Sequence, residues 1–277
     1  MTDLTLAPAV DMARDIRKKA ISPLELAELH LAKIERLNAK LNAFVQVDPD
    51  GVRRTAREAE AAVVNGQALG ALHGIPISIK SSIDVAGLRC EGGTRLRAGH
   101  VPSRDAPLIE RLKRAGAIIL GVTNTPELLM AWETDNLLYG RTNSPWDLDR
   151  TPGGSSGGES AAIASGMSAG GVGSDGGGSI RVPAHFTGIC GLKPTPGRIP
   201  ATGHFPPSGG PFALLGVVGP MARTVEDLKT LFEAMQGPDD ADTCAAPVRL
   251  RWPSAAYIRQ IRASAEIQAS GVHPYRT

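Results

Sequence analysis

Apolar residues recur at intervals of three and four positions near the start of the chain. The run consists of Leu24, Ala27, Leu31, Ile34, Leu37 and Leu41. This spacing is typical of one face of an amphipathic helix. Ser22, Pro23 and Glu25 supply an N-cap, a first-turn proline and a capping-box partner for that helix. A second helix is predicted from about Gly51 to Val64, ending at Asn65-Gly66.

The chain then alternates between strand-like and helix-like segments. Residues 74–80 (GIPISIK) alternate like a short strand and end in a lone lysine, Lys80. A helix is predicted from Asp105, acting as its cap, to Ala115, and it runs directly into an apolar strand from Ala117 to Val122. A helix that feeds a buried strand is the unit of an α/β fold with a largely covered sheet. A last helix opens at Thr224, and its apolar side comprises Leu228, Leu231, Phe232 and Met235.

Glycine and serine are concentrated between positions 153 and 191. Residues 151–160 read TPGGSSGGES, and residues 173–181 read GSDGGGSIR. An apolar, helix-favouring segment, Ala161–Ala164, separates these two segments, which argues against a flexible linker. Because glycine lets a reacting group approach the backbone closely, Ser155 and Ser179 predict an active site built largely from main-chain N–H groups. Taken alone, Ser155 would more often be a helix N-cap.

Two familiar motifs fit this region poorly. Residues 153–157 satisfy the G-x-S-x-G pattern of serine hydrolases, but that pattern needs a preceding strand, and the proline-containing residues 144–152 do not favour one. Residues 171–176 satisfy G-x-G-x-x-G, yet the glycine run and Pro183 prevent the helix that a dinucleotide site requires. Among six histidines without metal-ligand spacing, only His185 lies where it could serve as a base for Ser179.

Composition narrows the classes of function. The 277 residues are 42% apolar and 21% charged, which is typical of a globular protein with a sizeable core. Aromatic residues at 4% and a net charge of +2 argue against a nucleic-acid partner. No run of residues is long and apolar enough to predict a membrane span. Three cysteines without metal-like spacing, and no apparent signal peptide, predict a reduced, cytoplasmic protein.

The end of the chain differs in character from the rest. Residues 245–277 contain five arginines, no lysine and one acidic residue, with little periodicity. We therefore expect one domain over residues 1–240 and an atypical, poorly ordered basic tail over residues 241–277. A basic arm that binds an acidic partner is the alternative.

Several segments together resemble the amidase signature family. They are residues 153–158 (GGSSGG), 173–184 (GSDGGGSIRVPA), 188–195 (GICGLKPT) and, upstream, 74–80 (GIPISIK). The similarity extends from about residue 22 to residue 237. It implies an α/β amidase signature fold, in which a mixed β-sheet is flanked by α-helices. Members are considerably longer, so we expect a form truncated at the C-terminal side.

The resemblance also implies a Ser–cis-Ser–Lys triad that hydrolyses a carboxylic amide. By motif position, Ser179 corresponds to the nucleophile, Ser155 to the bridging serine and Lys80 to the base. A lysine accepts a proton only when it is neutral, and burial favours the neutral amine. The chemistry implies a small-molecule amide as substrate, with no cofactor and no metal. A homo-oligomer is compatible with the sequence.

The same resemblance also implies a role for the glycines that precede Ser179. The backbone N–H groups of Gly176, Gly177, Gly178 and Ser179 are predicted to form an oxyanion hole. Asp175 and Arg181 are predicted to support that loop through charge-assisted hydrogen bonds. Position 176 is glycine where members usually carry threonine or isoleucine.

Two alternatives remain open at this point. A truncated fragment of the family fold could be catalytically inactive and act by binding. An amidotransferase subunit would keep the chemistry but pass ammonia to partner proteins.

Overall fold

A computed structural model describes residues 3–207 and 209–245. Seven α-helices occur in this part of the chain: α1 (Ala9–Arg17), α2 (Pro23–Leu41), α3 (Pro49–Val64), α4 (Pro107–Arg114), α5 (Gly157–Ala164), α6 (Arg181–Thr187) and α7 (Val225–Met235). Six β-strands accompany them: β1 (Phe44–Val47), β2 (Pro76–Lys80), β3 (Ile118–Thr123), β4 (Gly170–Asp175), β5 (Cys190–Gly191) and β6 (Val217–Ala222). Among these helices, none is long and apolar enough to cross a membrane.

The strands form a single mixed sheet in the order β1-β3-β2-β4-β6-β5. The central strands β3, β2 and β4 are parallel, whereas β1, β6 and β5 pair in antiparallel fashion. Carboxyl ends of parallel strands meet at one edge of a sheet, which is where open α/β folds place their sites. Lys80, Thr123 and Asp175, the last residues of β2, β3 and β4, therefore lie at that edge. The predicted mixed sheet flanked by helices is confirmed.

Helix α2 begins as the sequence predicts. The Ser22 side chain accepts hydrogen bonds from the N–H groups of Leu24 and Glu25, and Pro23 occupies the first helical position. The predicted apolar stripe packs into the main core, where four of its six residues are buried and two partly buried. Helix α3 ends at Val64 as predicted and begins two residues earlier than expected, at Pro49.

The predicted cap of α4 is wrong. The helix begins at Pro107 after Ala106, without a side-chain cap. Asp105 instead accepts a hydrogen bond from the N–H of Ala86 at 2.8 Å and pairs with Lys113 at 2.6 Å. A carboxylate near the start of a helix thus serves a neighbouring loop, which a local sequence pattern cannot show.

Strand β2 is buried on both faces, whereas its alternating pattern suggests one polar face. All five of its residues are buried, and these include Ser78 and Lys80. A central parallel strand is covered on both sides, so its polar residues point into the interior. Strand β6 has no counterpart among the predicted elements, since it lies in a passage rich in proline and glycine.

The last described residues, 239–245, contact the body of the protein. The Asp242 carboxylate accepts from the N–H of Ala201 at 2.7 Å, and Thr202 donates to Asp239. The predicted basic tail lies, from residue 246 onwards, outside the described residues. The boundary at residue 240 stays a prediction.

Candidate active site

Lys80 is fully buried at the carboxyl end of β2. Its Nζ lies 2.6 Å from Ser155 Oγ and 3.0 Å from Ser174 Oγ. Burial lowers the pKa of Lys80 from 10.5 to about 7, and the charges of Asp175 and of Glu159, when Glu159 is ionised, act in the opposite direction. A large fraction of Lys80 is therefore neutral near pH 7, as a proton acceptor must be.

Ser155 lies in the loop that leads into α5 and is also fully buried. The peptide bond between Gly154 and Ser155 is cis. The Ser155 carbonyl accepts a hydrogen bond from Thr125 Oγ1 at 2.8 Å. Helix α5 begins at Gly157 with Ser156, not Ser155, at the N-cap position. The Ser155 hydroxyl is therefore directed to Lys80 and not to a helix end.

The loop from Asp175 to Arg181 folds around the Asp175 carboxylate. The Arg181 guanidinium donates to both carboxylate oxygens, at 2.9 and 3.0 Å. The N–H groups of Gly178 and Ile180 donate to the same carboxylate at 2.7 and 3.1 Å. Burial alone would raise the pKa of Asp175, but these hydrogen bonds outweigh it and the pKa is lowered. Asp175 is thus an ionised anchor for the loop.

One of the four predicted oxyanion-hole donors is engaged elsewhere. The Gly178 N–H donates to Asp175 at 2.7 Å, so it is not free for a substrate oxygen. The N–H groups of Gly176, Gly177 and Ser179 make no hydrogen bond to another residue in the described ranges. Trp132 Nε1 donates to the Gly177 carbonyl at 3.1 Å and fixes the next peptide of the loop.

Ser179 lies within this loop and is 8% exposed. Its carbonyl accepts from the N–H of Ser156 at 3.1 Å, which ties the two serine segments together. Ser155, Ser174 and Ser179 line the same cavity. No hydrogen bond joins the Ser155 and Ser179 hydroxyls among the residues described. The structure thus places Lys80 against Ser155, and Ser155 and Ser179 line one cavity.

The cavity has a volume of about 660 Å³. Most of its lining is apolar, from Leu128, Leu129, Met130, Ala131, Trp132, Pro206, Pro207, Phe212, Val217 and Val218. The Phe212 ring packs against Gly176, where an added Cβ would lie 2.6 Å from Phe212 Cζ. A threonine or isoleucine at position 176 would require that ring to move, whereas glycine lets the ring pack beside the oxyanion loop.

Sequence reasoning overlooked two polar residues beside Lys80. Ser174 contacts the amine directly. Glu159, on the first turn of α5, is fully buried and accepts hydrogen bonds from Ser78 and, at 2.7 Å, from Thr123. Burial raises the pKa of Glu159 to about 8 against the opposing effects of both hydroxyls and Lys80. The only sequence signal was an acidic residue inside an otherwise small and apolar helix.

The histidines occupy other roles than the one considered for His185. That residue lies on α6, its ring 6.2 Å from the ring of Phe186, and in the described chain it makes no hydrogen bond to Ser179. His204, for which the sequence gives no signal, lines the Ser179 cavity. Burial, and then the charge of Lys80, lower the pKa of His204 to about 4, so its imidazole is neutral. Nowhere in the described ranges do three His, Cys, Asp or Glu side chains form a group that could hold a metal ion.

The sequence of the chain is similar to one protein family. The Amidase family model matches residues 25–266. Indoleacetamide hydrolase from Bradyrhizobium diazoefficiens is 41% identical over 247 residues, which are 88% of this chain and 47% of that protein. A glutamyl-tRNA(Gln) amidotransferase subunit from Carboxydothermus hydrogenoformans is 38% identical over 246 residues, 89% of this chain and 50% of that protein.

Solved structures agree with the sequence comparison. A fatty acid amide hydrolase superposes with a TM-score of 0.83 at 32% identity, covering 90% of this chain and 45% of the other. A bacterial aryl acylamidase of the amidase signature family gives a TM-score of 0.80 at 31% identity, covering 88% of this chain and 50% of the other. The chain thus spans about half the length of the relatives it matches. On both sequence and structure, the chain belongs to the amidase signature family.

Proposed function

We propose that the protein hydrolyses a carboxylic amide to an acid and an amine through an acyl-enzyme on Ser179. The observation that carries the proposal is the buried Lys80 amine 2.6 Å from Ser155 Oγ, a serine that lines the same cavity as Ser179. A serine hydroxyl is a weak nucleophile until a neighbour accepts its proton. Neutral Lys80 supplies that acceptor, and Ser155 is the bridge.

The reaction begins with two proton transfers. Ser155 passes its proton to Lys80 Nζ and takes the proton of Ser179, while Ser179 Oγ bonds to the carbonyl carbon of the amide. The carbonyl π electrons move to oxygen and form a tetrahedral oxyanion. The N–H groups of Gly176, Gly177 and Ser179 are the candidate donors to this oxygen, and each donor is typically worth about 2.7–4 kcal/mol in the transition state.

Collapse of the tetrahedral intermediate breaks the C–N bond. The proton on Lys80 returns through Ser155 to the departing nitrogen, which leaves as a neutral amine. Water then attacks the acyl-enzyme, giving its proton to the same relay, and Ser179 is released with the carboxylic acid. Across the cycle the protein consumes only the amide and one water molecule.

The cavity favours an apolar substrate. Its walls are mainly Leu, Met, Trp, Phe, Pro and Val side chains, and its polar groups cluster at the serines and the oxyanion loop. A charged group held against these walls would lose hydration without compensation. We infer that the preferred substrates are small amides with an apolar acyl group.

Ammonia release from purified protein tests this proposal. Hexanamide and phenylacetamide are expected to react with at least a ten-fold higher kcat/KM than succinamic acid, whose second group is charged. Ser179→Ala is expected to lower the rate by about 10³-fold or more, since triad members act as a unit. Full activity in Ser179→Ala would refute the assignment of the nucleophile.

The same assay separates the two alternatives. Folded protein that releases no ammonia from any amide, with or without added partner proteins, would favour the inactive form. The amidotransferase alternative takes support from the relative named as a glutamyl-tRNA(Gln) amidotransferase subunit. It predicts that ammonia release requires added partner proteins, whereas the hydrolase proposal predicts activity without them.

A further inference from the structure

The buried Glu159 side chain lies between two hydroxyl donors and a glycine that leaves room for its carboxyl group. Its Oε1 lies beside Gly171 of β4, where an added Cβ would be 1.8 Å away. Thus no residue other than glycine fits at position 171 while Glu159 keeps its place. Ser78 donates to Oε1 and Thr123 donates to Oε2 at 2.7 Å. Three strands and α5 therefore combine to hold one acidic side chain.

The surroundings of this carboxyl favour its uncharged form. Both oxygens face hydroxyl groups, and neither donor carries a charge. A buried carboxylate without a bound cation is strongly disfavoured and takes up a proton instead. Asp175, at the end of the neighbouring strand, shows the contrast, because the Arg181 guanidinium pairs with it.

Glu159 and Lys80 lie on the same side of β2. Residues two apart in a strand point to one face, so Ser78, which binds Glu159, and Lys80 share that face. The titratable groups that face Lys80 are Asp175 from β4, Glu159 from α5 and His204 from the segment between β5 and β6. Asp175 is already paired with Arg181, and His204 is neutral. Glu159 is the facing group whose charge can still change near neutral pH.

We propose that Glu159 is a positioning residue for the base, sharing one proton with Lys80 and setting the pH at which Lys80 becomes neutral. The proposal rests on the proposed function of Lys80. With the proton on Glu159, Lys80 is a free amine and can accept the proton of Ser155. With the proton on Lys80, the pair is a carboxylate and an ammonium, and the relay is blocked. The carboxylate form of Glu159 therefore stabilises the ammonium form of Lys80, in which the relay is blocked.

Glu159→Gln removes the charge and keeps the shape of the side chain, and its NH2 group replaces one acceptor oxygen by a donor, as protonation of the carboxyl group also does. The rate of labelling by a fluorophosphonate probe would be measured from pH 5 to pH 10. In the parent the rate rises as Lys80 loses its proton. In Glu159→Gln the midpoint is expected to move to lower pH by at least half a unit, because no carboxylate favours the ammonium form. An unchanged midpoint would overturn the proposal.

Glu91→Gln is the matched control. Glu91 is also buried and accepts hydrogen bonds from the Gly99 N–H, at 2.6 Å, and from Tyr139. It is not among the groups that shift the pKa of Lys80. Its substitution is expected to leave the midpoint in place. An equal shift in both variants would show a general effect of buried carboxyl loss and would also overturn the proposal.

Thermal unfolding gives a second test that does not depend on activity. The pKa of Glu159 is raised from 4.5 to about 8 in the folded state. Its stabilising contribution is therefore complete below pH 4.5 and is lost as pH rises towards 8. From pH 5 to pH 7 the Tm of the parent should fall relative to that of Glu159→Gln.

The two readouts separate the two claims. A parallel pH dependence of Tm in both proteins would show that Glu159 is ionised throughout, which contradicts the proposal. Absence of labelling in the folded parent would refute the proposed function of the triad. The comparison of Tm would still decide the protonation state of Glu159.

Discussion

At the scale of single residues, the site depends on a lysine held where its charge is disfavoured. Lys80 Nζ has two hydroxyl neighbours, Ser155 and Ser174. Hydroxyls can accept from an ammonium and can also donate to a neutral amine. The same contacts therefore serve both protonation states, and burial moves the balance between them into the neutral range of pH.

The carboxylate of Asp175 holds the oxyanion loop in place, and substitution of Asp175 tests this role. Asp175→Asn loses one acceptor and the charge that Arg181 and the loop N–H groups require. We expect the fluorophosphonate labelling rate to fall by about 10²-fold, comparable to the loss of one oxyanion donor. Arg181→Lys keeps the positive charge and should cost less. A rate in Asp175→Asn equal to that of the parent would show that the carboxylate does not order the loop.

Which site residues the sequence reveals depends on how local their signal is. Lys80, Ser155 and Ser179 stand in distinctive motifs and are predicted before any coordinates. Ser174 and Glu159 can be recognised as site residues only from the structure, in which β4 and α5 pack beside β2. Gly178 shows the converse case, because its N–H was expected to face substrate but turns back onto Asp175. The directions of the N–H groups within a glycine-rich loop are fixed by tertiary hydrogen bonds, which the sequence does not show.

At the scale of elements, three parallel strands and one short helix carry the site. Strands β2, β3 and β4 end at the same edge, and α5 packs against the sheet with its first turn over that edge. Periodicity predicts the amphipathic helices α2, α3 and α7 well, because their exposed and buried faces differ. It predicts β2 as a strand but does not show that both of its faces are buried, and it misses β6, where Pro220 lies within an antiparallel pair with β4.

Gly171 is where the packing of helix on sheet is tightest. Gly171→Ala would place a methyl group 1.8 Å from Glu159 Oε1 and 2.4 Å from the Ser78 carbonyl. Overpacking of this kind typically costs about 1–3 kcal/mol. We expect a lower midpoint of urea unfolding. Gly177→Ala is the control, since nothing lies within 4 Å of its added Cβ. Equal midpoints in the two variants would contradict the described packing of α5 on β4.

At the scale of the whole molecule, the site depends on contacts between distant parts of the chain. The cavity is lined by residues from Leu128 to Val218. Arg223, which follows β6, donates to the carbonyls of Ala7, Ile163 and Ser168 at 2.8–3.0 Å. It thereby joins the N-terminal segment, the end of α5 and the turn before β4. Such long-range contacts are what the sequence alone cannot place, whereas the fold class follows from the order of elements.

The most direct test of the account is the intact mass of the protein after exposure to a broad fluorophosphonate. The assembled triad predicts one adduct, located on Ser179 by peptide mapping. The adduct should be absent in Ser179→Ala and form at least about 10³-fold more slowly in Lys80→Ala. An adduct that persists in Ser179→Ala, or no adduct on folded parent protein, would contradict the central claim that Lys80, Ser155 and Ser179 act together.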